Sequence, residues 1–71
     1  MDETIDLAKL AEQEPIVRFF TYDHLPQKLR DVSSPFAFLA TKIMELPRSA
    51  ERTVALRKLL ESKDAAVRAA L

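Results

Sequence analysis

The sequence has no cysteine, no glycine and no tryptophan, and one histidine among its 71 residues. Without thiols there is no disulfide framework, and a single imidazole leaves too few ligands for a structural zinc site. Hairpin turns, bulges and phosphate-cradling loops lean on glycine, so its absence works against strand-rich folds and excludes Walker and Rossmann loops. No apolar run approaches the ~18 residues of a membrane span, and the chain does not open on a basic, apolar leader. A soluble cytoplasmic protein is expected, the lack of cysteine suiting a reducing compartment. Catalytic triads and paired acid–base carboxylates need convergent histidine, cysteine or acidic groups in a cleft, and no motif here supplies them. The expectation is a protein that binds rather than catalyses, with no cofactor.

A single core in a chain below ~70–80 residues rarely contributes more than a few kcal/mol. With neither disulfide nor metal to staple it, a homo-oligomer is expected. Charge is balanced overall but not along the chain: residues 2–14 hold five acids against Lys9, and residues 15–71 hold ten bases against six acids. That basic excess is too small for a long duplex, whose binding rests on many phosphate contacts, and sufficient for a ligand with two or three phosphates. A helix-turn-helix reader of DNA ranks last, since residues 48–71 carry six bases against three acids.

Residues 1–14 read as an N-terminal helix, with Ile5, Ala8, Leu10 and Ala11 at helical spacing, ended by Pro15. Residues 15–24, opening Pro15-Ile-Val-Arg-Phe-Phe-Thr-Tyr22, are rich in β-branched and aromatic side chains without helical period. They read as an extended arm lying on the rest of the protein or on a neighbouring subunit. Residues 25–71 read as a helical hairpin. Leu25, Leu29, Val32, Phe36, Leu39, Ile43 and Leu46 alternate in steps of four and three, a heptad seam that keeps its phase across Pro35. One kinked, continuous helix is therefore preferred to two. Leu46-Pro-Arg-Ser49 is the turn, Ser49 the N-cap of a last helix from about Ala50 onward, and so short a turn makes the two helices antiparallel neighbours. Thr53, Leu56, Leu60, Lys63, Val67 and Ala70 form the inner stripe of that helix, with Leu39 and Leu60 expected in the core. The fold class is all-α: an antiparallel helical hairpin with a short N-terminal helix and an extended arm, assembled as a homo-oligomer in which residues 1–71 form one domain.

Few residues invite chemistry. Tyr22 follows Phe19 and Phe20, and either the trio fills the small core or an interface, or Tyr22 stands at the rim with its ring free to stack on a nucleobase. His24, in Thr21-Tyr-Asp-His-Leu-Pro26, reads as a cap or surface group at the mouth of the first hairpin helix. Arg52 and Lys63 fall along the apolar stripe of the last helix, where a cation either snorkels or meets an anion. Arg30 and Lys42 flank the seam of the preceding helix in the same way. Arg57, Glu61, Asp64 and Arg68 look like a solvated face of ion pairs.

Two stretches together carry a family resemblance: Phe20-Thr-Tyr-Asp-His-Leu-Pro26, and Ser49-Ala-Glu-Arg-Thr-Val-Ala-Leu-Arg-Lys-Leu-Leu-Glu-Ser-Lys-Asp-Ala-Ala-Val-Arg68 after a helix ending in Leu-Pro. Residues 20–70 resemble the helical hairpin shared by phage anti-CBASS and anti-Thoeris sponge proteins. The resemblance implies a small non-catalytic subunit, commonly hexameric, that sequesters cyclic di- or trinucleotide immune signals in the infected host's cytoplasm without cleaving them. It implies that Tyr22 is the stacking aromatic and that Arg52 is the arginine opening the second helix. Arg30 matches the family's basic position on the first helix only if the alignment slips, and Ser33 or Ser34 stands where relatives carry a basic residue. The competing expectation is a structural or protein-binding helical hairpin of a phage or bacterium.

Overall fold

The computed structural model describes residues 7–71. Three α-helices and one 3-10 helix follow in order: α1 Leu7–Gln13, the 3-10 helix Pro15–Phe20, α2 Gln27–Met44 and α3 Ala50–Ala70, with no strand among the described residues. The part of the expected first helix that precedes Leu7, Ile5 included, lies outside the described residues.

The largest departure from expectation is the arm. Pro15–Phe20 is not extended but wound into a 3-10 helix that touches α1, α2 and α3. Pro15 sits in its first turn, where a missing N–H costs nothing, and the Val17 amide reaches the Glu14 carbonyl at 3.0 Å. A 3-10 helix has about three residues per turn, so Val17 and Phe20 lie on one edge, and both are completely buried. Burial along a three-residue period outweighs the strand preference of Ile, Val and Phe, which is itself a preference for packed surfaces. Thr21 closes the element through its hydroxyl, which donates to the Arg18 carbonyl at 3.1 Å.

α2 runs unbroken through Pro35, as its uninterrupted seam suggested. The carbonyl of Asp31 loses its helical donor there, on the exposed side of the helix. The row that faces the core, however, is not the heptad seam. Ser33, Ala37, Ala40 and Met44 are buried, each one position beyond Val32, Phe36, Leu39 and Ile43. Both rows keep the four-three rhythm, because adjacent residues lie 100° apart and any helical stripe has that period. The small residues face inward since they allow a neighbouring element to come close. Leu39 is 49% exposed and Leu46 54% exposed, which corrects the placement of Leu39 in the core.

α2 and α3 are joined by residues 45–49 and lie in contact with each other, within a longest molecular dimension of 34 Å. Ser49 caps α3 as expected, its side chain accepting from the Arg52 amide at 3.1 Å. Arg52 and Leu56 are the buried residues of α3, with Leu59 and Leu60 packed beside the core; past Leu60 every side chain is half-buried or exposed. The buried hydrophobic core comprises Leu7, Val17, Phe20, Ala37, Ala40, Met44 and Leu56.

Ser33 is 1% exposed, yet its hydroxyl has no hydrogen-bond partner among the described residues. An unpaired buried hydroxyl costs about 1–3 kcal/mol in desolvation, and alanine is the better helix former. Ser33→Ala is therefore expected to raise the thermal midpoint by several degrees in a calorimetric scan; a lower midpoint would mean that the hydroxyl is satisfied in solution.

Candidate functional site

Residues 21–26 bridge the 3-10 helix and α2 and carry the most accessible candidate. Tyr22 is half-buried, one side packed against the core cluster, and its carbonyl accepts from the Leu25 amide at 3.1 Å. It stands at the rim, held by the two fully structured elements on either side. His24, two residues on, is exposed.

α2 begins at this rim without a side-chain cap: Pro26 occupies the N-cap position and has no hydroxyl or carboxylate to offer. The Pro26 carbonyl takes the Leu29 and Arg30 amides at 2.9 Å each. The helix start thus presents free N–H groups and the positive end of its dipole toward the rim, a setting that favours an anion. Arg30, in the first turn, donates through Nη2 to Gln27 Oε1 at 2.8 Å, while its Nε is buried without a partner among the described residues. Tyr22, His24 and Arg30 are thus gathered at one end of α2.

Lys42 is exposed on the last turn of the same helix, about 18 Å from Arg30 at 1.5 Å per residue, so the two do not share a site within one subunit. Lys63 keeps 14% of its side chain exposed and pairs with Asp64 at 2.9 Å. Its stem is covered and its ammonium has found a carboxylate on the next residue. Asp64 is thereby drawn away from the expected face of Arg57, Glu61 and Arg68, all of which are exposed.

Arg52 differs most from its expected role. It is 7% exposed, and its guanidinium is committed within the chain. Nη1 donates to the Met44 carbonyl at 3.3 Å and to the Leu46 carbonyl at 2.9 Å, while Nη2 meets Glu14 Oε1 at 3.2 Å. One planar cation thus caps the C-terminal end of α2, where free carbonyls and the negative end of the dipole gather, and ties that end to the segment before the 3-10 helix. The stripe cation does meet an anion, but the anion belongs to the protein. Arg48 adds a second tie, donating from Nη2 to the Gln13 carbonyl at 2.8 Å.

Local sequence could not have matched Glu14 to Arg52, which are 38 positions apart. Glu14 reads only as one more acid in an acidic segment. Beside the clamp, an open and largely apolar depression of 330 Å³ is lined by Leu46, Pro47, Ser49, Glu51, Arg52 and Ala55. Its polar lining is Ser49, Glu51 and Arg52, and with the guanidinium already paired to Glu14 and two carbonyls it is poorly suited to a phosphate. Among the described residues no cluster of histidine or acidic side chains could hold a metal ion, and no helix is long and apolar enough to cross a membrane. Comparison with family models, with curated proteins and with solved structures finds no match.

Proposed function

We propose that this protein is a non-catalytic sponge that binds a cyclic di- or trinucleotide at the start of α2 and works as a homo-oligomer, serving a phage as an immune-evasion protein in the host cytoplasm. In this reading α2 and α3 are the antiparallel hairpin of the family that residues 20–70 resemble, and the assembly is the hexamer common there. The observation that carries it is Tyr22, partly buried against the core and four residues ahead of Pro26, the N-cap that leaves the start of α2 without a side-chain partner. A base stacks on that ring, and its phosphate lies toward the free amides of α2 with Arg30 and His24 at hand. Lys42 and Lys63 reach a ligand only from a neighbouring subunit, and Arg52 acts by holding the helix ends in place.

Tyr22→Ala is expected to weaken a cyclic nucleotide by about 1–3 kcal/mol in a calorimetric titration while circular dichroism keeps its helical signal. No heat with any cyclic di- or trinucleotide for the unmodified chain, or unchanged affinity in Tyr22→Ala, would overturn the reading. The alternative, a structural or protein-binding helical hairpin, is favoured by the exposed side chains of Phe19, Phe38, Leu39 and Leu46. It would leave Tyr22→Ala silent toward nucleotides and show itself instead as an apolar-face partner.

A further inference from the structure

The heptad seam of α2 runs beside the buried row: Phe36 and Ile43 are partly covered by the core, Leu39 and Leu46 are about half exposed, and a seam with that spacing is a surface on which one helix packs against another. We infer that α2 pairs with α2 of a second copy, antiparallel and about a two-fold axis, with Val32 against the partner's Ile43 and Phe36 against the partner's Leu39. The inference rests on the self-association proposed above and specifies which face and which register produce it.

Antiparallel layering is set by spacing. Seam residues alternate in steps of four and three, so reversing one helix aligns Leu29, Val32 and Phe36 with Leu46, Ile43 and Leu39 of the other, all in one register. Each layer occurs twice by symmetry, as an isologous contact requires. Leu39 and Leu46, about half exposed in the single subunit, become covered.

Charge selects the same register independently. Along the exposed flank of the seam lie Lys28, Asp31, Pro35, Phe38, Lys42 and Glu45. In the antiparallel register Lys28 falls opposite the partner's Glu45, Asp31 opposite the partner's Lys42, and Pro35 opposite the partner's Phe38. Each pair is offset along the axis by two residues, about 3 Å, which a lysine side chain spans. Asp31 already accepts from Gln27 at 2.7 Å, which steadies its carboxylate on this flank. The 48% exposure of Phe38 acquires a partner as well. A parallel pairing would instead set each seam residue against its own copy and bring none of these opposite charges together. The opposed macrodipoles of two helices lying side by side also favour the antiparallel arrangement.

The absence of cysteine makes the test direct, since introduced thiols are the only ones present. Val32→Cys and Ile43→Cys chains are prepared separately, then oxidised mildly alone and mixed. Covalent dimers are expected in the mixture and not in either alone, because each residue lies 11 positions, about 16 Å, from its own copy in this register. Dimers from each variant alone would show a parallel seam and overturn the inference. Should either variant fold poorly, the charge exchange at exposed positions carries the test. Among exposed positions, Asp31→Lys is expected to raise the dissociation constant about fivefold at low salt, and adding Lys42→Asp in the same chain to restore it. Full-size oligomers by light scattering without any of these crosslinks would place the interface elsewhere, leaving self-association standing; a wild-type monomer at micromolar concentration would overturn both.

Discussion

Arg52→Ala is expected to destabilise the protein by about 3 kcal/mol in urea denaturation at fixed protein concentration, and to do so whether or not any ligand is present. The side chain is buried and serves three acceptors: two carbonyls at the end of α2 and the carboxylate of Glu14. Truncation leaves all three short of a donor, with only part of the loss made good by water at the open side. Because Glu14 keeps 15% of its side chain exposed, the effect belongs at the lower end of the range for broken buried pairs. Arg52→Lys should recover only part, since a point-like ammonium cannot span both carbonyls and the carboxylate as a planar guanidinium does. Glu14→Gln, which keeps an acceptor and loses the charge, should cost about 1 kcal/mol. If Arg52→Ala instead unfolds at the wild-type urea midpoint and loses affinity for cyclic nucleotides, the guanidinium serves a ligand and not the helix ends.

Phe20→Ala should abolish folding at 25 °C, whereas Phe19→Ala should leave the subunit folded. Phe20 is the largest of the completely buried side chains and lies where the 3-10 helix meets the α-helices. Replacing a buried phenylalanine by alanine costs about 3–5 kcal/mol, comparable to all that a core of this size supplies. Phe19 is 50% exposed, and Arg18 stacks over its ring at 4.9 Å from the centroid. A far-UV spectrum that stays helical in Phe20→Ala would show that the 3-10 helix is not the keystone its burial implies.

Of the candidate residues, the sequence places best those whose environment is local. It sets Tyr22 between two proline-marked boundaries, Pro15 and Pro26, but leaves open whether the ring lies in the core or at its edge, and the fold puts it partly buried against the core. His24 at the mouth of α2 was legible for the same reason. Arg52 was not, because its three acceptors come from two other parts of the chain. A cation on an apolar stripe has the same local pattern whether it meets a bound phosphate or a distant glutamate.

The sequence alone determined what depends on the backbone and on near neighbours: helical class from the missing glycines, an unbroken α2 from the phase kept across Pro35, the turn at Leu46–Ser49, and the Ser49 cap. Only the tertiary structure decided which side of each element is inside. Periodicity gives the spacing of a helical stripe but not its azimuth, so Ser33, Ala37, Ala40 and Met44 could displace the larger seam beside them once close approach to a neighbouring element favoured small side chains. The same contest turned Pro15–Phe20 from a presumed arm into the middle of the core, because burying Val17 and Phe20 together outweighs what β-branched residues prefer in isolation.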